Sequence, residues 1–288
     1  INQIAIEHHT KAPIALRINP DVDAKTHEKI STGKAENKFG IPISQAPEIY
    51  RQAAKMQGIR VQGVDMHIGS QLTQLAPYEQ AFKLLSNLVK QLQQDGHKIT
   101  HIDLGGGLGV NYSADNQAPT IADYCSHISS IMKDWDGTII LEPGRSLVAE
   151  AGLLVTKVIY IKEGQERIFC ILDVAMNDLL RPSLYGAVHQ IIPETESDQR
   201  CTYDVVGPVC ETGDTFARDF TMSKVNEGDL VALTHAGAYG AVMASTYNTR
   251  LLIPEVLVKD HQFHLIRSRP DYETLINQDQ LAAWQNTK

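Results

Sequence analysis

The sequence lacks any apolar run close to the ~18 residues that a membrane-spanning helix needs, so we expect no membrane partner. It also lacks a basic stripe, because the net charge is −8 and the lysines and arginines stand singly. Nucleic acid is therefore not an expected partner, since a phosphate backbone attracts clustered positive charge. Only four cysteines occur, without a CxxC spacing. That scarcity favours a reducing compartment, the cytoplasm, over a disulfide framework or a zinc site.

Four segments in the first half share one pattern, a short run of β-forming residues that ends in glycine or a polar residue. They are IALRINP (14–20), GVDMHIG (63–69), HIDLGGG (101–107) and TIILEPG (138–144), with KFGI (38–41) as a shorter candidate. Between the second and third, Phe82, Leu85, Val89 and Leu92 recur at helical spacing, and Gly96 marks a helix end. Strand starts about 35 to 50 residues apart are typical of successive βα units with parallel strands.

The second half has a different pattern from about Val148 onwards. Its β-rich segments are punctuated by Gly, Asp and Pro, and helical patterns become rare, which predicts an antiparallel sandwich or barrel. The expected fold class is therefore α/β plus all-β. We predict an incomplete (β/α)8 barrel over residues 1–147, a β-rich domain over 148–270, and a C-terminal helix over 271–288 that packs back on the barrel.

The number of strands bears on what precedes Ile1. A closed barrel needs eight βα units, so roughly three further units, on the order of 100 residues, are expected before the first residue. The chain also begins INQIAIEHHT, without an initiator methionine. An open α/β sheet, complete as it stands, is the alternative.

Polar groups follow three neighbouring strands at the end where a parallel barrel has its active site. His67 and Ser70 follow the second strand, Gly105, Gly106 and Gly107 follow the third, and Glu142, Gly144 and Arg145 follow the fourth. Consecutive glycines allow backbone N–H groups to converge on a phosphate, although a tight turn would also explain them. Taken singly, His67 could be a structural histidine, and Glu142 with Arg145 could be a surface ion pair. Their joint placement favours a site.

Several motifs occur in the order known from one enzyme family. HIGSQ (67–71), GGGLG (105–109) and EPGR (142–145) resemble the alanine-racemase-like class of pyridoxal-phosphate decarboxylases. RPSLYGAVH (181–189), VGPVCETGDTF (206–216) and GAYGAVMASTYN (237–248) resemble the signatures of the diaminopimelate decarboxylase family within that class. The resemblance extends from ISTGKAENKFG (30–40) almost to the C-terminus.

The resemblance implies pyridoxal 5′-phosphate as cofactor. In that reading His67 lies over the pyridine ring and Glu142 faces the ring nitrogen. A carboxylate there favours the protonated ring, which is the better electron sink for decarboxylation. The phosphate is held by Ser70, by the Gly105–Gly107 amides and by the backbone around Gly144, with Arg145 and Tyr239 nearby.

The resemblance also implies the substrate, a diamino dicarboxylic acid that loses carbon dioxide to give L-lysine. Its distal carboxylate would be bound by Arg145, Arg181 and Tyr185, and its distal ammonium by Glu211, with Tyr239 also in contact. A guanidinium binds a carboxylate through two parallel hydrogen bonds, so a substrate without that group would leave the arginines unsatisfied. Cys210 would donate the proton that replaces carbon dioxide. In the family this segment enters the partner subunit's site, so we expect a homodimer with shared sites.

One departure concerns the lysine that binds the cofactor covalently. The family places it on the first barrel strand, and no lysine here has that context; the candidates Lys11, Lys25, Lys29, Lys34, Lys38 and Lys55 lie in polar, loop-like or helical surroundings. We therefore expect the chain to lack its N-terminal portion and to have little or no turnover by itself, without a borohydride-trappable lysine adduct.

Three alternatives remain at this point. A related decarboxylase could act on ornithine, arginine or carboxynorspermidine, a racemase could share the fold, and a non-catalytic homologue could have kept the motifs. No metal is expected, because His8–His9 is a solvated pair and His261 and His264 point to opposite faces of a strand.

Overall fold

The computed structural model describes residues 1–24, 26–34, 36–113 and 117–285. Two compact units divide the chain, Ile1–Ala149 and Glu150–Lys288. Within the described residues, every helix is too short or too polar to cross a membrane.

The first unit is built on a five-stranded parallel sheet. Its strands are β1 (Ala12–Asn19), β2 (Ile41–Pro42), β3 (Ile59–Asp65), β4 (His101–Asp103) and β5 (Thr138–Ile140), in the order β2-β1-β3-β4-β5. The helices are α1 (Asn2–Glu7), α2 (Ala46–Ala54), α3 (Ala76–Gln94), α4 (Ile121–Ile131) and α5 (Arg145–Val148), with 3-10 turns at Glu28–Ile30 and Ile43–Gln45. A strand overlaps each of the four predicted segments, whereas the shorter candidate KFGI (38–41) is a strand only at Ile41, where β2 begins.

Helix α3 shows why this sequence covers the sheet with helices. Its buried side chains recur at three- and four-residue steps, and they include Phe82, Leu85, Val89 and Leu92. These side chains pack into one apolar core with the sheet residues Val64 and Ile102. The helix is followed by Gly96 at a φ of +92°, a left-handed conformation that glycine adopts without steric cost.

The second unit is built on a six-stranded sheet and a separate hairpin. The sheet contains β6 (Leu154–Glu163), β7 (Ile168–Leu172), β8 (Ile191–Pro193), β9 (Arg200–Val206), β10 (Thr215–Ser223) and β11 (Leu230–Leu233), in the order β10-β9-β7-β6-β11-β8. The hairpin pairs β12 (Glu255–Lys259) with β13 (Gln262–Arg267). Two short helices complete this unit, α6 (Arg181–Tyr185) and α7 (Tyr272–Ile276), with 3-10 turns at Ala241–Met243, Tyr247–Thr249 and Ala283–Gln285.

The β-rich second half is thus confirmed, with three differences in detail. The pair β7 and β9 is parallel in an otherwise antiparallel sheet. Strands β8 and β10 were not predicted, because β8 has only three residues and two register shifts interrupt the alternation of the buried side chains of β10. The helix expected over 271–288 is wrong as a continuous element: α7 spans five residues, a 3-10 turn follows, and residues 286–288 lie outside the described ones.

Candidate active site

The ends of β3, β4 and β5 form one edge of the parallel sheet, and the predicted first-unit residues lie there. Asp65 at the end of β3 pairs in register with Asp103 at the end of β4, which in turn pairs with Ile140 at the end of β5. The segments that leave this edge carry His67 with Ser70, the three glycines, and Glu142 with Arg145.

His67 lies two residues beyond β3, and hydrogen bonds hold both its carbonyl oxygen and its imidazole. Its carbonyl oxygen accepts hydrogen bonds from the Arg17 guanidinium at 3.2 Å and from the Thr32 hydroxyl at 2.9 Å. The amide of Gly106 donates to its Nδ1 at 3.2 Å, which assigns the ring proton to Nε2. Burial, and then the nearby Arg17, lower the pKa of His67. The imidazole is therefore neutral at pH 7.

The three glycines are required by close backbone packing. Gly105 and Gly107 have φ values of +68° and +97°. A Cβ atom on Gly105, Gly106 or Gly107 would lie 2.3, 2.1 and 2.1 Å from the carbonyl oxygens of Met66, Glu142 and Gly69, respectively. The glycine loop therefore passes between the chain that leaves β3 and the chain that leaves β5. The Gly105 amide donates to the Asp103 carboxylate at 2.9 Å, so two of the three amides have acceptors within the protein.

Gly106→Ala tests this packing. We expect it to lower the free energy of unfolding by about 4 kcal/mol or more, because the atom in the way belongs to the Glu142 backbone and cannot rotate aside. Gly96→Ala is the matched control. It meets no atom within 4 Å and has only its positive φ to accommodate, at a cost of about 1–3 kcal/mol. Urea unfolding of both variants measures the difference, and equal losses would contradict the packing argument.

A cluster of three carboxylates occupies the same edge. Oxygens of Asp65, Asp103 and Glu142 lie within 4.8 Å of one another. Burial, with the charges of Asp103 and Glu142, raises the pKa of Asp65 to about 6 against the opposing effect of Arg17. Glu142 was predicted from its motif, whereas the two aspartates were not predicted. Their signal was available, because both end neighbouring strands and stand shortly before His67 and Gly105.

The raised pKa of Asp65 predicts how stability depends on pH. The folded protein holds this proton more tightly than the unfolded chain, whose ordinary value is 3.8. Protonation therefore favours folding, and the stability it contributes is present below about pH 4 and lost as the pH rises towards 6. Asp65→Asn removes this dependence. We therefore expect the melting temperature of the variant, relative to that of the wild type, to increase as the pH rises from 4 to 7.

The control for this experiment is Asp134→Asn at an exposed position. It should melt in parallel with the wild type over the same pH range. A constant difference between Asp65→Asn and the wild type would contradict the proposed charge cluster.

Arg145 lies at the start of α5 and is only 7% exposed. Its guanidinium donates to the hydroxyl of Tyr112 at 2.5 Å and to Oγ of Ser70 at 3.2 Å, and it lies 5.6 Å from the centre of the Tyr112 ring. The structure therefore brings together Ser70 and Arg145, both of which were predicted to bind the cofactor. It also excludes the reading of Arg145 as part of a surface ion pair, because a surface arginine would be exposed.

Gln71 fixes the same edge although the sequence analysis gave it no role. Its side-chain amide donates to the carbonyl of Val110 at 2.7 Å, and its side-chain carbonyl accepts from the Val110 amide at 3.2 Å. Gln71 itself has a φ of +60°. These two bonds tie the segment after β3 to the glycine loop after β4.

In the second unit, α6 carries Arg181 and Tyr185 at its two ends. Arg181 is 4% exposed and Tyr185 is half-buried. Between them, the Ser183 hydroxyl donates to the carbonyl of Gly213 at 2.6 Å. This bond joins the helix to the loop that carries Cys210 and Glu211.

That loop, residues 207–214, is closed by Asp214. The buried carboxylate of Asp214 accepts from the amides of Met176 at 2.6 Å and Val209 at 2.8 Å, although burial raises the pKa of Asp214. Cys210 and Glu211 are exposed, and the Glu211 carboxylate accepts from the Tyr247 hydroxyl at 2.8 Å. The loop thus presents a thiol and a carboxylate from a fixed backbone.

Tyr239 lies in the segment that follows β11, and its conformation is unusual. It has a φ of +58° and is 42% exposed, and His235 in the same segment has a φ of +57°. Such strain in non-glycine residues is typical of functional sites. The segment is held closely, because a Cβ on Gly152 would lie 2.5 Å from the backbone of Gly237.

The lysines that precede the cofactor motifs are distributed over the surface of the first unit. Lys11, Lys29, Lys38 and Lys55 are exposed, and Lys34 pairs with Asp23 at 3.2 Å. Lys25 lies outside the described residues.

Comparison with known proteins places this geometry in a family. Residues 1–149 match the model of the pyridoxal-binding domain of pyridoxal-dependent decarboxylases. The chain is 48% identical over 283 residues to a diaminopimelate decarboxylase of Zymomonas mobilis. This match covers 98% of the chain and 67% of that protein. A diaminopimelate decarboxylase from Helicobacter pylori, solved in complex with L-lysine, superposes with a TM-score of 0.91 at 42% identity. The superposition covers 96% of the present chain and 69% of the Helicobacter pylori chain.

A diaminopimelate decarboxylase from M. jannaschii, also in complex with L-lysine, superposes with a TM-score of 0.92 at 40% identity. The superposition covers 98% of the present chain and 67% of the M. jannaschii chain. The chain spans about two thirds of the length of the curated relatives it matches. The chain belongs to the family of pyridoxal-dependent decarboxylases, and its relatives at 42–49% identity are named diaminopimelate decarboxylases.

Proposed function

We propose that the protein takes part in the decarboxylation of meso-2,6-diaminopimelate to L-lysine and carbon dioxide, with pyridoxal 5′-phosphate as cofactor. The observation that carries this proposal is the edge formed by β3, β4 and β5. A neutral imidazole, a glycine loop, a carboxylate cluster and a buried guanidinium meet there. The identity to diaminopimelate decarboxylases over nearly the whole chain supports the same substrate.

The residues at this edge fit the cofactor because their charges match its two ends. The carboxylates of Asp65, Asp103 and Glu142 repel one another, and a protonated ring nitrogen would relieve that repulsion. The amides of Gly105 and Gly106 already donate to Asp103 and His67, so the donors offered to a phosphate are Ser70, Arg145, the Gly107 amide and the backbone at Gly144. When bound, the cofactor supplies the electron sink for the carbanion left by carbon dioxide.

The remaining roles belong to the side chains of this chain. Glu142 would hold a proton on the ring nitrogen, and the imidazole of His67, whose pKa is lowered, would contact the ring without adding a competing positive charge. Arg145, Arg181, Tyr185 and Tyr239 bind the distal carboxylate of the substrate, and Glu211 binds its ammonium. Cys210 would donate the proton that replaces carbon dioxide on the substrate.

We also infer that the protein acts as a cytoplasmic homodimer with shared sites. The exposure of Cys210 and Glu211 on the fixed loop 207–214 is consistent with insertion into a partner's site. All four cysteines lie in described residues and are free thiols, which agrees with a reducing compartment. Sedimentation equilibrium on the protein expressed from its complete gene tests the dimer, and a monomer at micromolar concentration would contradict it.

The test of the function is carbon dioxide release by the protein expressed from its complete gene, with cofactor added. We expect kcat/KM for meso-diaminopimelate to exceed that for ornithine by about 10³-fold or more, because ornithine lacks the distal carboxylate and leaves buried arginines unsatisfied. Faster release from ornithine would assign the protein to another branch of the family. Release from neither substrate would favour a non-catalytic homologue.

A further inference from the structure

The guanidinium of Arg181 is held by a residue to which the sequence analysis gave no role. Arg181 begins α6, and the helix ends at Gly186, whose φ of +61° turns the chain back. His189 then returns to the beginning of the helix. Its Nε2 lies 2.8 Å from an Nη atom of Arg181, and both side chains are buried, at 1% and 4% exposure.

The second ring nitrogen of His189 determines which proton the imidazole carries. Nδ1 lies 2.8 Å from the carbonyl oxygen of Thr234, which can only accept a hydrogen bond. Nδ1 therefore carries the proton, and Nε2 accepts from Arg181. The Thr234 amide is itself bonded to the carbonyl of Gln190 at 2.9 Å, so the acceptor that orients the ring is fixed by backbone.

A neutral acceptor such as His189 affects the charge of Arg181 differently from a carboxylate. It orients the guanidinium through one N–H group without cancelling its charge. Burial strengthens the attraction between the oriented guanidinium and an anionic ligand.

We propose that His189 is a positioning residue that directs Arg181 towards the distal carboxylate of the substrate and thereby sets the preference for a diamino dicarboxylic acid. This inference rests on the proposed function, because Arg181 is assigned to the substrate there. His189 acts through Arg181 and has no part in the loss of carbon dioxide itself.

Three substitutions in the protein expressed from its complete gene separate this role from a structural one. His189→Gln keeps a neutral acceptor, and we expect the ratio of kcat/KM for meso-diaminopimelate over ornithine to stay within about 3-fold of wild type. His189→Leu removes the acceptor and should lower the ratio about 10- to 100-fold through KM for meso-diaminopimelate. His189→Glu places a carboxylate on Arg181 and should lower the ratio at least as much.

Binding of pimelate, a dicarboxylate without amino groups, gives a readout that does not depend on turnover. Calorimetry should show Kd unchanged within about 3-fold for His189→Gln and raised at least 10-fold for His189→Glu. If His189→Leu does not fold, the comparison of the Gln and Glu variants decides. Equal ratios and equal Kd values for these two variants would overturn the inference while leaving the proposed function intact. A wild type without preference for meso-diaminopimelate would overturn both.

Discussion

Cys210→Ala is expected to lower kcat for meso-diaminopimelate about 10²- to 10⁴-fold, the range found when a positioned proton donor is removed. KM should change only a few-fold, because the thiol acts on the carbanion and not on the distal groups of the substrate. The loop that carries Cys210 should remain in place, since its backbone bonds are made by the Asp214 carboxylate and not by the cysteine. Steady-state kinetics on the protein expressed from its complete gene measures both constants.

Two controls accompany this variant. Cys125→Ala replaces another exposed cysteine, in α4, and should leave kcat unchanged. Asp214→Asn keeps the thiol but puts an amide group against the N–H groups of Met176 or Val209, so it should lower kcat by loosening the loop. If Cys210→Ala had the same kcat as Cys125→Ala, another group would have to be the proton donor.

Glu142→Gln is expected to lower kcat about 10²- to 10³-fold, as removal of one preorganised charge at a reacting centre does. The amide cannot keep a proton on the ring nitrogen, so the cofactor becomes a weaker electron sink. The loss should be only partial, because Asp65 and Asp103 lie within 4.8 Å and still contribute negative charge. The kcat of the cofactor-saturated variant is the measurement.

Glu7→Gln removes a carboxylate from the exposed face of α1 and serves as the matched control. Glu142→Asp keeps the charge on a shorter side chain and should recover part of the lost rate. A Glu142→Gln variant with kcat within 2-fold of wild type would show that the ring nitrogen does not depend on this carboxylate.

The parallel strands were predictable because each is a short β-forming run that ends at a glycine or a polar residue. The helix α3 was predictable from its four apolar positions at helical spacing. Strand β10 was not, since register shifts near Ala217 break the alternation that identifies a half-buried strand. The C-terminal helix was overestimated: only five residues of α7 are helical, and an apolar pattern alone does not supply the packing that stabilises a short helix.

The candidate site shows the same division between local and long-range information. His67, the glycines, Glu142 and Arg145 could be named from local motifs, and the structure places them at one edge. The cluster of Asp65 with Asp103 and the bond between His189 and Arg181 depend on strand register and on a chain reversal at Gly186. Neither is visible in a motif.

The glycine loop combines both kinds of information. The motif suggested converging amides for a phosphate. The structure adds that each glycine lies against a carbonyl oxygen of a neighbouring segment, which excludes any side chain at these positions.

The most direct test of the central claim is a crystal structure of the protein, expressed from its complete gene, with pyridoxal 5′-phosphate bound. We predict that the ring nitrogen of the bound cofactor lies next to the Glu142 carboxylate. Its phosphate should lie next to Ser70, Arg145 and the loop of Gly105–Gly107. Cofactor density away from the ends of β3, β4 and β5, or with the phosphate at the carboxylate cluster, would contradict the account.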